Sequence, residues 1–313
     1  MFKKLGKGLF LLLTTMLVLP MVFFFFMPTR IISKEVARVK LSLPTSHFMF
    51  WRGAEVHYLD EGHGPVVLMI HGYGGSARNF EELTDSLKDS YRVISVDLPG
   101  FGLSDMPLMG LQPDYLKMYR DYISFVLDTL QLHDVCVMGN SMGGGIGWLS
   151  AGDHPDKITR LVLLGSAGYD PQKIAANLTM VRFKSLGRLL SKGMPEFVTK
   201  NRSYRIYANP EKVDASVWTL NNEMLNRQGN IESMLALAWA QQFPDTLLIK
   251  RIKCPALIVW GKQDNVIPWE HAERFHRDIL HSQVIIYDSC GHVPMMESPG
   301  RLKGDFIRFV MGS

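Results

Sequence analysis

The feature that most constrains the fold is the stretch at residues 135–145, VCVMGNSMGGG. It has the pattern of a buried strand that runs into a helix, with Gly139-x-Ser141-x-Gly143 at the junction. In this nucleophile-elbow pattern, a serine lies at the tip of a sharp turn with strained backbone angles. Strand and helix crowd each other on both sides of the serine, so a residue without Cβ is needed at Gly139 and Gly143. We predict that Ser141 is a nucleophile, although an incidental serine in a glycine-rich turn would have the same pattern.

Apolar runs of strand length alternate with segments of helical spacing along most of the chain. Besides the elbow strand, the predicted strands are residues 55–60, 66–70, 91–97, 160–165, 256–260 and 283–287. This alternation predicts an α/β fold, with a parallel sheet and helices on both of its faces. Residues 167–252 lack a strong strand and favour helices. We interpret them as a helical insertion over the strand ends, and the alternative is further peripheral helices of the same layer.

An acid and a base follow two of the later strands. A serine hydroxyl is a weak nucleophile and needs a base that is itself held by an acid. Asp264 comes just after the strand that ends at Trp260, and His292 follows the strand that ends at Tyr287. The order Ser, Asp, His is the one found in chains with this elbow. We therefore predict Ser141 as nucleophile, His292 as general base and then acid, and Asp264 as the group that orients the imidazole.

Two backbone amides are expected to stabilise the negative charge that develops on the substrate oxygen. One is the amide of Met142, the residue after the nucleophile. The second belongs to the glycine-rich loop at residues 71–76, where Gly72 allows a close approach and Tyr73 is the predicted donor. His71 is expected to brace this loop.

Taken together, these motifs resemble the α/β-hydrolase superfamily over roughly residues 48–313. Within it, the elbow, the loop at 71–76 and the segments 260–264 and 291–297 look like those of bacterial cold-active lipases and membrane-anchored monoacylglycerol lipases. The resemblance implies an eight-stranded, mostly parallel sheet, a helical cap after the sixth strand, an acyl-enzyme intermediate, and no cofactor or metal. The elbow also looks like that of hydrolases that cleave carbon–carbon bonds in aromatic ring-fission products, so that activity stays open.

The N-terminal segment at residues 8–27 has 20 residues and no charge. As a helix it would be ~30 Å long, which matches the hydrocarbon core of a bilayer. Lysines precede it, so we predict a single-pass membrane protein with a cytoplasmic N-terminus and an exported catalytic domain. The alternative is a signal peptide, removed to leave a secreted or periplasmic protein.

Composition limits the other possibilities. The net charge is +4, and three of these charges are lysines at the N-terminus, so there is no basis for binding nucleic acid. The three cysteines, Cys136, Cys254 and Cys290, are too few and odd in number for a disulfide framework. Nothing in the sequence determines the oligomeric state.

The sequence thus predicts a serine carboxylester hydrolase of acylglycerols or similar lipid esters. Its predicted parts are a membrane anchor or signal segment (1–29), a juxtamembrane connector (30–47), the hydrolase core (48–166 and 253–313) and a helical cap (167–252). Apolar side chains of the cap and of the histidine loop are predicted to line a substrate pocket, with the cap core as the alternative: Trp218, Trp239, Val293, Met180, Phe183, Leu186, Met224 and Leu225. A non-enzymatic binding module is opposed by the complete set of Ser141, Asp264 and His292.

Overall fold

The structure is a computed structural model that describes residues 30–111, 113–169, 193–194, 196, 199–200, 204–240 and 244–312. Its strands are β1 (Ser46–Trp51), β2 (Ala54–Glu61), β3 (Val66–Ile70), β4 (Arg92–Val96), β5 (Val135–Asn140), β6 (Ile158–Leu164), β7 (Ala256–Gly261) and β8 (Ser282–Tyr287). The α-helices with bounds in these residues are α1 (Lys34–Leu41), α2 (Glu81–Leu87), α3 (Tyr115–Thr129), α4 (Met142–Asp153), α5 (Ala215–Leu225), α6 (Asn230–Ala240), α7 (His271–Asp278), α8 (Pro294–Glu297) and α9 (Pro299–Met311).

The eight strands form one sheet in the order β1-β2-β4-β3-β5-β6-β7-β8. The pairs β1–β2 and β2–β4 are antiparallel, and the remaining neighbours are parallel. The prediction of an eight-stranded, mostly parallel sheet is therefore confirmed. Because β3 and β5 to β8 run in the same direction, the loops that follow them all emerge at one edge of the sheet.

Strand β3 shows why its sequence is apolar throughout. Leu68 and Ile70 face a core shared with Tyr122 of α3, whereas Val67 and Met69 face a second core shared with α2 and α9. Successive side chains of a strand point to opposite faces, so a strand with helices on both sides needs apolar residues at every position. The continuous runs in β5, β6 and β7 have the same origin.

The segment before the sheet, predicted as a connector, contains a helix that packs on the fold. Ala37 and Leu41 of α1 are buried together with Leu103 and Met224. Ser33 caps the helix by accepting a hydrogen bond from the amide of Val36. Sequence alone did not indicate this helix, because the segment is rich in charge and its stability comes from contacts with residues far along the chain.

The prediction of a single-pass membrane protein is contradicted. Within the described part of the chain, no helix combines the length and the apolar character needed to cross a bilayer. The longest helix there, α3, has 15 residues, whereas a span needs about 20. Residues 1–29, on which the prediction depended, lie outside the described residues, and the single-pass localisation is not retained.

Between β6 and β7, the described residues form helices α5 and α6. Helix α6 packs on the loop that follows β4, where a Cβ on Gly100 would lie 2.6 Å from the Cβ of Ser233. The hydroxyl of Tyr73 donates to the carbonyl of Met234 in the same helix, at 2.6 Å. This part of the chain thus lies against the loops at the carboxyl edge of the sheet, and its assignment as a cap over residues 167–252 stays a prediction.

Candidate active site

Ser141 occupies a strained turn between β5 and α4. Its backbone angles are φ 54° and ψ −119°, in a region that residues with a side chain rarely adopt. A Cβ on Gly139 would lie 2.4 Å from the carbonyl oxygen of Gly143, and a Cβ on Gly143 would lie 2.1 Å from that of Ile70. Both contacts are too short for real atoms, so the close crossing of strand and helix requires glycine at both positions.

His292 and Asp264 are in contact at the same edge of the sheet. His292 Nδ1 lies 2.7 Å from Asp264 Oδ2. The other carboxylate oxygen of Asp264 accepts hydrogen bonds from the amides of Val266 at 2.8 Å and Ile267 at 2.9 Å. The Asp264 side chain has no exposed surface, and that of His292 is 5% exposed. The carboxylate is thus held by two amides through one oxygen and lies against the imidazole of His292 with the other.

The glycine after β6 lies directly against this pair. Gly165 has φ +51°, and a Cβ there would lie 3.1 Å from His292 Nδ1 and 3.3 Å from Asp264 Oδ2. Among the hydrogen bonds of the described residues, none joins Ser141 to His292. In unliganded sites such contacts are often long and tighten only when substrate is bound.

The loop after β3 approaches Ser141 closely. A Cβ on Gly72 would lie 3.0 Å from the Cβ of Ser141, so a side chain at this position would press on the serine. Met142 is the first residue of α4, so its amide has no acceptor within the helix. Tyr73 follows Gly72, which places both predicted oxyanion donors, Tyr73 and Met142, on chain segments that border the serine.

His71 braces this loop from beneath. It is fully buried, its Nδ1 lies 2.7 Å from the carbonyl oxygen of Gly72, and its Nε2 accepts from the amide of Leu98 at 3.0 Å. Burial lowers the pKa of His71, which keeps the ring neutral and suited to donate at one nitrogen and accept at the other.

Asn140, the residue before the serine, was not singled out from the sequence. Its buried side-chain amide donates to the carbonyl of Leu164 at 2.9 Å and to the carbonyl of His292 at 3.0 Å. It therefore ties the elbow to β6 and to the loop that carries His292. The only signal in the sequence was its position beside Ser141.

The predicted pocket residues have different surroundings. Trp218 is 5% exposed and packs between the rings of Tyr204 and Tyr207, at centroid distances of 5.7 and 5.4 Å. Val293, beside the histidine, is 4% exposed, whereas Trp239 is partly buried against the core. Met224 and Leu225 are buried, and Met180, Phe183 and Leu186 lie outside the described residues.

A second set of serine, histidine and aspartate lies elsewhere in the core. His57 Nδ1 is 2.7 Å from Asp97 Oδ2, and His57 Nε2 is 2.8 Å from Ser46 Oγ. Asp97 also accepts from the amides of Ala77 and Leu103, each at 2.7 Å. We call these three residues the β2–β4 network, since His57 and Asp97 belong to strand β2 and to the loop after β4.

Comparison with known proteins agrees with this architecture. Residues 65–299 match the model of the family described as alpha/beta hydrolase fold. A 2-hydroxymuconate semialdehyde hydrolase of Pseudomonas sp. (strain CF600) is 30% identical, with 82% of this chain and 91% of the relative covered.

Two solved structures are similar at lower identity. A meta-cleavage product hydrolase from Pseudomonas fluorescens IP01 has a TM-score of 0.72 and 24% identity, covering 85% of this chain and 97% of the other. A membrane phospholipase A, described as a bacterial virulence factor, has a TM-score of 0.72 and 24% identity, covering 99% of this chain and 98% of the other. At these identities the similarity concerns the fold.

Proposed function

Because this chain belongs to the alpha/beta-hydrolase fold family, we propose that it is a serine carboxylester hydrolase of acylglycerols or similar lipid esters. The observation that carries the proposal is the position of Ser141. It stands on a positive-φ turn at the N-terminus of α4, with Gly72 against its Cβ. The hydrogen-bonded pair of His292 and Asp264 lies at the same edge of the sheet.

In the proposed reaction, Ser141 Oγ attacks the ester carbonyl carbon while His292 Nε2 accepts its proton. The amides of Tyr73 and Met142 stabilise the oxyanion, supported by the N-terminus of α4. The C–O bond to the alcohol then breaks and His292 returns the proton to the leaving oxygen. Water, deprotonated by His292, hydrolyses the acyl-enzyme and releases the carboxylic acid.

Asp264 has an orienting role in this scheme. Two backbone amides hold its Oδ1, so Oδ2 is directed at His292 Nδ1. This arrangement keeps the proton on Nδ1 and the lone pair on Nε2, and it stabilises the imidazolium that forms when the serine proton is accepted.

Hydrolysis of a carbon–carbon bond in a ring-fission product is the second candidate. The observation in its favour is the 30% identity to a 2-hydroxymuconate semialdehyde hydrolase over 82% of this chain. The second reaction would use the same nucleophile, base and oxyanion donors, but its leaving group is a carbon that must receive a proton. The choice therefore depends on how the rest of the substrate is bound.

The contacts of Arg227 favour a neutral ester. A ring-fission substrate that carries carboxylates needs cations to compensate them. Arg227 is a buried cation of the cap, but its guanidinium already lies 2.7 Å from Asp105 and donates to the carbonyl of Ser104. A substrate carboxylate would have to compete with Asp105 for this guanidinium, of which the buried Nε alone has no hydrogen-bond partner among the described residues, whereas an ester needs no cation.

A substrate panel tests the proposal. Short and long p-nitrophenyl esters and monoacylglycerols are compared with a 2-hydroxy-6-oxo-dienoate, for the wild type and for Ser141→Ala. We expect esters to be preferred and Ser141→Ala to lose about 10⁴-fold or more in kcat. Ser86→Ala, the same exchange in α2, where the hydroxyl donates to the carbonyl of Leu83 in its own helix, is the matched control. Preference for the dienoate would transfer the assignment to the second candidate, and full activity of Ser141→Ala would reject both.

A further inference from the structure

One segment of the predicted cap lies directly on the loop that carries His292. The amide of His292 donates to the carbonyl of Ile206 at 2.7 Å. A Cβ on Gly291 would lie 2.6 Å from that carbonyl oxygen and 2.7 Å from the amide nitrogen of Ala208. On its other side, Gly291 is packed against Gly261 at the end of β7. The backbone before His292 is thus enclosed between the sheet and residues 204–208.

The carboxylate of Glu297 connects the loop that carries His292 to residues 204–208. Its Oε1 accepts from the amide of Gly291 at 2.8 Å, and its Oε2 accepts from the amide of Ala208 at 2.7 Å. The thiol of Cys290 lies 3.6 Å from Oε1. One carboxylate therefore holds the histidine loop with one oxygen and the cap segment with the other.

Aromatic packing fixes the cap side of this contact. Tyr207 is 3% exposed, and its hydroxyl contacts Met296 Sδ at 3.5 Å. Its ring meets Trp218 of α5 edge-on, at a centroid distance of 5.4 Å. Residues 204–208 are consequently anchored to α8 and to α5 through Tyr207.

We propose that Glu297 is a positioning residue for His292, and that it makes cap residues 204–208 part of the structure that holds the general base. The inference rests on the proposed function, in which His292 exchanges a proton with Ser141. Asp264 restrains one nitrogen of the ring, but the position of Nε2 also depends on the backbone from Cys290 to His292. Glu297 and Ile206 hold that backbone from the side opposite the sheet.

The effect should fall on turnover, since an error of about 1 Å in a reacting group costs roughly a hundredfold in rate. Glu297→Gln has a single acceptor oxygen and so can serve only one of the two amides. Glu297→Asp keeps the charge but is one methylene shorter. Asp60→Asn is the control for general destabilisation. It removes the ion pair of Asp60 with Arg92 at the sheet edge opposite the proposed active site.

Three measurements test the proposal on the folded wild type and these variants. They are the rate of labelling by a small fluorophosphonate, kcat and KM for a short ester, and hydrogen exchange at the amides of Ala208, Gly291 and His292. For Glu297→Gln we expect labelling and kcat to fall about 30- to 100-fold with KM changed by less than about threefold, and exchange at the three amides to rise. Glu297→Asp should recover part of the rate, and Asp60→Asn should match the wild type in labelling and in exchange at these amides.

Two results would overturn the proposal. If Glu297→Gln loses protection at the three amides but is labelled at the wild-type rate, Glu297 holds the cap without positioning the base. If only KM changes, the residue acts on substrate binding. A wild type that neither reacts with the fluorophosphonate nor hydrolyses esters would instead reject the proposed function, so the two failures are distinguishable.

Discussion

The molecule contains two sets of serine, histidine and aspartate in which histidine and aspartate are paired at the same distance. In both, histidine Nδ1 lies 2.7 Å from a buried carboxylate: His292 with Asp264, and His57 with Asp97. By hydrogen bonding alone, the β2–β4 network is the more complete, because its serine lies 2.8 Å from His57 Nε2. The proposed active site has no such bond.

The two serines differ in their surroundings, and this difference indicates different functions. Ser46 begins an edge strand, and its Oγ accepts a hydrogen bond from the amide of Leu43 at 2.9 Å. Ser141 lies on a strained turn at a helix N-terminus, beside a glycine-rich loop. A hydrogen-bonded chain of three residues can simply stabilise a fold. Catalysis also requires a nucleophile that meets the substrate and donors aimed at the developing charge.

Exchange of each histidine for glutamine gives the largest expected contrast. His292→Gln removes the proposed base and should lower kcat for an ester by about 10⁴-fold or more. It also weakens a hydrogen bond to the buried carboxylate of Asp264, so its effect on stability should resemble that of His57→Gln, and the contrast lies in kcat. His57→Gln should leave kcat of the folded protein within about threefold but lower the free energy of unfolding by about 1.5–3 kcal/mol, since it weakens a hydrogen bond to a buried carboxylate. Ester kinetics and urea unfolding measure the two effects. The distinction fails if His57→Gln inactivates a fully folded protein.

Substitution of the glycines beside Asp97 and Asp264 should give effects of intermediate size on stability and kcat. Gly102 has φ +54°, and a Cβ there would lie 2.2 Å from the carboxylate of Asp97. Gly102→Ala should therefore lower the free energy of unfolding by about 2–4 kcal/mol through overpacking and backbone strain, without loss of kcat. At Gly165 the corresponding contacts are 3.1 Å or longer.

Gly165→Ala should accordingly lower the free energy of unfolding by only about 1–2 kcal/mol but reduce kcat about tenfold, because it displaces His292. Thermal unfolding and ester kinetics on both variants decide the matter. Equal losses of kcat in the two would contradict the assignment of separate roles to the two networks.

The smallest expected effect is on the pH dependence of stability. Burial by itself raises the pKa of Asp97, but the charge and hydrogen bond of His57, together with further contributions that include the hydrogen bond from the amide of Leu103, outweigh it, and the folded pKa lies below its usual value. Such a carboxyl contributes stability above its unfolded pKa of about 4 and loses it as pH falls through the lower folded pKa. Asp97→Asn should be less stable than the wild type by about 1–2 kcal/mol at pH 7, with a smaller difference near pH 3. Urea unfolding at both values tests this, and a difference that grows in acid would refute it.

Much of the fold could be predicted because its signals are local. Each buried strand is a continuous apolar run, and Ser141, Asp264 and His292 each stand just after such a run. The order of these residues along the chain was enough to place them at one edge of the sheet, where the structure brings Asp264 and His292 into contact. Their catalytic roles stay predictions.

Other features depend on contacts between distant segments, which leave no periodic signal. The pairing of His57 with Asp97 arises from the antiparallel alignment of β2 with β4. Glu297 was visible only as part of a motif, since its partner Ala208 lies 89 residues earlier, in the predicted cap. Trp218 was predicted to line a pocket, and the sequence could not indicate its packing between Tyr204 and Tyr207. The error on the membrane span had another cause, because that prediction used residues 1–29 alone.

The pairing of Ile32 with Arg227 has a consequence for biosynthesis. Ile32 forms a parallel bridge with Arg227, and Lys34 and Arg227 both contact Asp105. The residues around Ile32 leave the ribosome early, but Arg227 is made only after most of the chain has been synthesised. Contacts of such large sequence separation carry a high loop-closure entropy and are intrinsically slow to form. The bridge between Ile32 and Arg227 therefore cannot form until late in translation, although Leu103 and Asp105, other partners of this segment, are made much earlier. Completion of this contact marks a late step in the maturation of the protein.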